Sequence, residues 1–340
     1  MTWTVAIGVD THRDRHRACA LDRLGRLLGT LELSADAAGY RALWEWAGAL
    51  GEPAFALEGS GSYGAGVARE LAACGATVYE CERPTRRDRR RGKSDEIDAA
   101  TAARKLLAGE GLAELRGFGP REQLRTLLLE RRSAQTARSA ALNQLHALVI
   151  TSPPQLRARL ERLHGLPLAK RAAVLRCSGD AVAVLRRLGR RVLALAEEIE
   201  IVDRELRQLV RAVAPALLEE CGVGPVCAAQ LLVSSGNPDR MRSEAAFAAL
   251  SGTSPVDASS GRQQRHRLNR GGDRQLNSAL HVIALNRKRA HPATRAYYQR
   301  VLASGKTKRE ALRCVKRTLA RYFYAQLKAV ATLDLAEVTP

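Results

Sequence analysis

The first third of the chain alternates short apolar runs with stretches of helical spacing. Trp3 to Asp10 (WTVAIGVD) is apolar, partly β-branched and ends on an acid, which predicts a buried strand. His16 to Leu21 and Leu27 to Leu33 follow, separated by a turn at Asp22 to Arg26. With the first run they predict a three-stranded antiparallel meander. Between Asp36 and Leu50 the residues Tyr40, Leu43, Trp44, Ala47 and Leu50 recur at helical spacing. Pro53 to Leu57 is a fourth strand with Glu58 at its end, Tyr63 to Cys74 a helix, Ala76 to Glu80 a fifth strand and Ser94 to Leu107 a helix. The order β-β-β-α-β-α-β-α implies a mixed sheet with an antiparallel edge and a parallel core.

The remainder reads as α. Pro120 to Ile150 has one apolar side (Leu124, Leu127, Leu128, Ala134, Ala141, Leu145, Leu148), and Pro153, Pro154, Gly165 and Pro167 interrupt it. Leu185, Leu188, Val192, Leu195, Ile199, Val202, Leu206, Leu209 and Val213 alternate spacings of three and four, the signature of coiled-coil packing. That stripe predicts an arm, built as an intramolecular hairpin or as a dimer seam. Gly222-Val223-Gly224-Pro225 and the apolar run after it suggest half of a helix-hairpin-helix, although an ordinary turn explains the glycines equally well. A short helix (Ser243 to Leu250), a Ser/Gly/Arg-rich loop (Ser251 to Arg274) and helices at Gln275 to Arg289, Pro292 to Ala303 and Thr307 to Val330 complete the chain. The expected class is α/β plus α, divided at 1–110, 111–214 and 215–340.

Composition narrows the partners. A net charge of +20 and a pI near 10.4 point to nucleic acid. An anionic membrane would also attract such a chain, but no apolar run approaches a membrane span. Asp10, His12, Arg13 and Asp14 fall where a secretory leader would be apolar, and seven scattered cysteines without a close pair read as reduced. A cytoplasmic protein is expected. Aromatic residues are only 4%, too few for extensive base stacking.

Two chemistries meet in the stretch Arg83 to Asp98. Arg83, Arg86, Arg87, Arg89, Arg90, Arg91 and Lys93 are suited to backbone phosphates. Asp95 and Asp98, three apart, share a helix face and can offer oxygens to one hard cation. Asp10 and Glu58 end strands of the same predicted sheet, where sites of parallel sheets form. Four such acids would repel one another unless they share a divalent metal, Mg2+ or Mn2+. The alternative is a solvated basic loop followed by acids that separately cap strand and helix ends.

Several motifs carry a family resemblance: GVDTHRDRH, ALEGSGSYG, RRGKSDEIDAATAARKL, GVGPVCAAQLL and FAALSGTSPVDASSGRQQRHRLNRGGDRQLNSALH. The chain resembles, over almost its whole length, the DEDD-type transposases of insertion sequences that lack terminal inverted repeats, together with the Piv-like DNA invertases. The resemblance implies a RuvC-like, RNase H-type N-terminal domain whose four acids are Asp10, Glu58, Asp95 and Asp98. It implies a C-terminal transposase domain with a serine nucleophile in the segment Ala258-Ser259-Ser260-Gly261, Ser260 being preferred over Ser259. It further implies DNA donor and target, a structured non-coding guide RNA, assembly as homodimer or tetramer, and a bacterial, nucleoid-associated setting.

Around that serine, Arg262, Arg265, Arg267, Arg270 and Arg274 could steady developing phosphorane charge, whereas His266 has no assigned role. Because the arm separates Asp98 from Ser260 in sequence, one active site needs the two domains folded together or supplied by different subunits, and the heptad run makes the second the working hypothesis. A metal-dependent junction nuclease with water as nucleophile and a non-catalytic RNA-binding scaffold are the competing functions. An actin-like sugar kinase fits the strand order but not the charge.

Overall fold

The computed structural model describes residues 3–81, 95–115, 119–176, 179–236, 243–258 and 266–331. The chain divides into two compact units, Met1–Phe118 and Gly119–Pro340.

The first unit is built on a six-stranded sheet of order β3-β2-β1-β4-β5-β6. Its strands are β1 (Val5–Thr11), β2 (Arg15–Asp22), β3 (Leu27–Ser34), β4 (Pro53–Glu58), β5 (Thr77–Cys81) and β6 (Leu112–Glu114). The first three form the expected antiparallel meander, and β4 and β5 add in parallel. The short β6 closes the far edge antiparallel to β5. Helices α1 (Ala37–Leu50) and α2 (Ala65–Ala73) cover one face through Val5, Ile7, Val9, Phe55 and Leu57. Helix α3 (Asp95–Ala108) covers the other, packing on Ala6, Ala54 and Ala56.

Side-chain size explains how closely α3 lies. Its sheet-facing residues Ala99, Ala102 and Ala103 are at most 3% exposed. A Cβ on Gly8 would stand 2.0 Å from the carbonyl oxygen of Ala99 and 2.4 Å from the amide nitrogen of Ala103. Only glycine fits at this crossing. On the opposite face α1 is started by Asp36, whose carboxylate accepts hydrogen bonds from the Gly39 amide and the Ser34 hydroxyl, both 2.8 Å.

The second unit begins with α4 (Pro120–Ile150) and α7 (Asp180–Val213), antiparallel partners of 31 and 34 residues. At one end α5 (Pro154–Leu160) and α6 (Gly165–Ala173) close a core of Leu145, Leu160, Leu168 and Leu185. A Cβ on Gly189 would be 2.7 Å from the Ala169 carbonyl oxygen, so α6 crosses α7 in near backbone contact. The heptad stripe is therefore buried within its own chain: Leu185, Val192, Ile199, Val202 and Leu206 are at most 5% exposed. Within the chain the stripe packs against α4 and α6, the hairpin arrangement that the spacing allowed.

The other end of the hairpin shares a core with the C-terminal helices, where Leu124, Leu128, Val202 and Leu206 pack with α9 (Pro225–Ser235), α11 (Arg274–Ala290) and α13 (Lys308–Ala331). Around them lie α8 (Pro215–Glu219), α10 (Glu244–Leu250), α12 (Pro292–Ala303) and the hairpin β7 (Val256–Asp257) with β8 (His266–Arg267). Prolines that interrupt the pattern often start helices, since Pro154, Pro215, Pro225 and Pro292 each stand in a first turn. The GVGP turn is explained by packing: Gly222 has φ +80°, and its absent side chain leaves room for Asn286 and Arg287 of α11. The guanidinium of Arg287, 6% exposed, binds the Cys221 carbonyl (2.8 Å) and the Glu220 carboxylate. It also stands 4.9 Å from the centre of the Tyr322 ring.

All three tryptophans, Trp3, Trp44 and Trp46, belong to the first unit, so their fluorescence reports on it alone. Gly8→Ala is expected to destabilise that unit by about 3 kcal/mol or more, because the clash is with backbone. Urea unfolding followed by tryptophan emission measures it; a midpoint equal to wild type contradicts the close crossing.

Candidate active site

The acidic edge follows from strand register. Val9 pairs with Leu57, so Asp10 and Glu58 come next on adjacent parallel strands. Neighbouring strands lie roughly 4.8 Å apart, and residues in register point to the same face. The face is the one under α3, since Ala6 and Gly8 precede Asp10 at a period of two, as Ala54 and Ala56 precede Glu58. Helix α3 runs back along β1. Ala102 and Leu106 cluster with Ala6, whereas Ala99 and Ala103 cross at Gly8. Its N-terminus consequently comes to the edge where Asp10 and Glu58 stand.

Asp10 is 6% exposed and Asp98 is half-buried. Asp95 is the first residue of α3, and its side chain lies outside the described residues. The Thr11 hydroxyl donates to the Glu58 carbonyl at 2.6 Å, tying the two strand ends together. Gly59 turns the chain after Glu58 with φ +75°. Sequence reasoning missed His12, whose Nε2 stands 3.3 Å from Oδ2 of Asp10.

Among the described residues no group of three or more His, Cys, Asp or Glu side chains is close enough to hold a metal ion. The donor chemistry nevertheless suits one: Asp10, Glu58 and Asp98 offer carboxylate oxygens, the ligands of hard divalent cations.

The expected phosphate contacts divide. Arg86, Arg87, Arg89, Arg90, Arg91 and Lys93 lie outside the described residues, as do Ser259, Ser260, Arg262 and Arg265. Arg267, Arg270 and Arg274 are exposed. In the hairpin Val256 pairs with Arg267 and Asp257 with His266. The RGGDRQLN segment fastens this region to α11. Oδ1 of Asp273 accepts from the amides of Gln275 (2.7 Å) and Leu276 (3.2 Å). Gly272, at φ +87°, passes so close to α10 that a Cβ would be 2.4 Å from the Leu250 carbonyl oxygen. The Asn277 amide donates to the Ser251 carbonyl at 2.6 Å.

Two comparisons bear on these features. A model for DEDD transposases of the IS110 type, described as "Transposase", matches residues 7–153. Another, described as "Transposase IS116/IS110/IS902 family", matches residues 214–299. Both stretches are thus similar to transposases of the IS110 type. It is 32% identical over 219 residues to the 43.6 kDa protein of insertion element IS110 from Streptomyces coelicolor, covering 63% of this chain and 54% of that one. It is 29% identical over 163 residues to the 42 kDa protein of insertion element IS900 from Mycobacterium paratuberculosis, covering 47% of this chain and 41% of that one. The chain thus spans about half the length of the curated relatives it matches.

The DEDD match takes in the mixed sheet and its acidic edge, and the second match falls on the C-terminal core that includes the RGGDRQLN segment. DEDD-type domains work with divalent metal, in keeping with an all-oxygen donor set. Among the described residues no helix is long and apolar enough to cross a membrane.

Next to the acidic strand, His16 of β2 is 1% exposed and stacks on Tyr40 with ring centroids 5.7 Å apart. Burial lowers its pKa from the ordinary 6.5; a backbone hydrogen bond at Arg15 opposes this and the charge of His12 adds to it. The unfolded chain therefore binds the extra proton more readily. The contribution that neutral His16 makes to the stability of the first unit is expected to be full above about pH 6.5 and to decline as pH falls below it. His16→Phe is expected to flatten that decline. Tryptophan-monitored urea unfolding from pH 7.5 to 5 tests it, and identical slopes in the two proteins count against a buried neutral imidazole.

Proposed function

We propose that this chain cleaves and exchanges DNA strands as the transposase of an insertion sequence, with Asp10, Glu58, Asp95 and Asp98 forming a divalent-metal site and Ser260 acting as nucleophile. The observation that carries the proposal is the placement of Asp10 beside Glu58 at the ends of adjacent parallel strands, with the N-terminus of α3 over the same edge. Mg2+ or Mn2+ bound there would polarise the phosphodiester and make an attacking hydroxyl more acidic. The Ser260 oxygen then forms a bond to phosphorus as the bond to the leaving sugar oxygen breaks, and the serine proton ends on that oxygen. The phosphoserine link keeps the energy of the broken bond for rejoining. Arg267, Arg270 and Arg274, with Arg262 and Arg265, supply positive charge around the serine segment.

The substrates are donor and target DNA. A chain with net charge +20 and 4% aromatic residues favours phosphate contacts over base stacking. That balance suits a protein whose sequence choice is delegated to pairing by a structured guide RNA. Assembly as a dimer or tetramer would allow the acids and the serine of one reaction to come from different subunits.

A second reading, a RuvC-like junction nuclease with water as nucleophile, rests on the same acidic edge and does without the serine. A covalent-adduct assay separates the two, using full-length protein, its flanking non-coding RNA, Mg2+ and a labelled donor–target pair. An adduct absent in both Ser260→Ala and Asp10→Ala is expected. Cleavage without adduct that survives Ser260→Ala but not Asp10→Ala would leave only the nuclease.

The metal itself is testable without turnover. MgCl2 or MnCl2 should raise the tryptophan-monitored melting temperature of the wild type and leave Asp10→Asn unmoved, since a ligand of the folded state alone stabilises it. Equal shifts in the two proteins would remove Asp10 from the metal site.

A further inference from the structure

A charge inconsistency in the second unit lies inside α13. Ala311, Val315, Leu319, Ala320 and Phe323 are buried on one side of that helix, and Lys316 stands among them at 7% exposure. Among the described residues its ammonium has one partner, the Oδ1 of Asn277 at 2.5 Å, and no carboxylate. Asn277 is in turn fixed by the Ser251 carbonyl, so the lysine is held and not merely trapped. Burying a cation with only a neutral partner is costly unless an anion arrives. Desolvation accordingly lowers the Lys316 pKa from its ordinary 10.5.

Lys316 lines a cavity of about 430 Å³ bounded by the residues after α10, the β8 strand and α13. Its walls also carry Arg267, Lys306, Arg313, Arg317 and Arg321, against the single acid Glu310. Glu310 is occupied at the start of α13, accepting from the amide (2.9 Å) and hydroxyl (2.8 Å) of Thr307. Glu244 sits beneath Arg317 and Arg321, 2.8 Å from each. It leaves Nη1 of Arg317 buried with no hydrogen-bond partner among the described residues. A cation without a counter-charge and a donor without an acceptor thus belong to residues of one cavity.

We propose that this cavity seats a backbone phosphate of a DNA strand, recognised by the buried Lys316 ammonium that Asn277 positions. The inference rests on the DNA-processing function proposed above and adds to it a phosphate site within the second unit. A nucleic acid fits better than a small free anion because the cationic wall extends from the core at Lys316 to the exposed Lys306, as a strand entering from solvent requires.

The test is fluorescence anisotropy of the full chain with a labelled 12-nucleotide single-stranded DNA, repeated with an unrelated sequence and with RNA, across a NaCl series in EDTA. Lys316→Gln is expected to weaken DNA binding about tenfold, equally for both sequences. The slope of log K against log[NaCl] should become shallower by about 0.7, one phosphate contact on a single strand. Lys316→Arg should keep the wild-type slope, which a purely structural lysine would not predict. If Lys316→Gln does not fold, the double variant Lys306→Gln/Arg313→Gln on the rim decides by the same slope. Wild-type affinity and slope in a folded Lys316→Gln, or in the rim variant, overturn the proposal. A loss confined to RNA overturns the DNA assignment. Because the measurement is metal-free, a normal Lys316→Gln leaves the adduct chemistry untouched, whereas a wild type that binds no DNA defeats both.

Discussion

The backbone contact between Gly8 and α3 sets the geometry of the acidic edge. With no side chain at Gly8 and alanines at 99, 102 and 103, the helix lies against β1 at a separation no larger residue would permit. Close packing here fixes both how near α3 comes to the sheet and where along β1 it crosses. Asp10 is two residues past the crossing in one direction along the strand, and Asp98 is one residue past Ala99 in the other direction along the helix. A larger residue at position 8 would lift α3 and separate acids that are themselves unchanged. The placement of the acidic edge is in this sense a consequence of apolar packing.

The second unit applies the same constraint to different ends. Gly189 lets α6 cross α7, Gly222 admits α11 against the turn before α9, and Gly272 lets the start of α11 pass the end of α10. In each case a missing Cβ allows two elements to pack closely, and at Gly222 and Gly272 polar groups gather. Arg287 binds beside Gly222, and Asp273 caps α11 next to Gly272. Asn277, one turn on, reaches both Ser251 and Lys316. Small residues place the elements, and buried polar groups then fix their register.

Much of this was legible in the sequence where periodicity and turn chemistry agree. The meander, the two parallel strands, the three helices of the first unit and the long helices α4 and α7 follow from spacing alone. Strand β6 was not legible because three residues make no period, and α5, α6 and α8 were hidden by prolines that read as breakers when they mark first turns. The heptad stripe gave the right helix and left its partner open. Spacing describes one surface, while the surface that covers it, α4 and α6, is supplied by tertiary packing. The placement of Asp10 and Glu58 could be read because strand ends and register are local properties. Lys316 could not, since one lysine in a basic helix looks like a solvated residue until the stripe around it is seen to be buried.

Lys316 also shows how a positively charged protein can discriminate among its own cations. Exposed arginines such as Arg270 and Arg274 are screened by salt and keep their hydration whether or not a phosphate is near. A lysine at 7% exposure has already lost most of its water, and its amide partner supplies a dipole where a charge is needed. An arriving phosphate therefore gains more from it than from a surface residue, and gains it only if the strand enters the cavity far enough to reach α13. Twenty excess positive charges can draw DNA to the protein in any orientation. A buried one responds to a single placement of the strand, which is the property the proposed strand exchange would require.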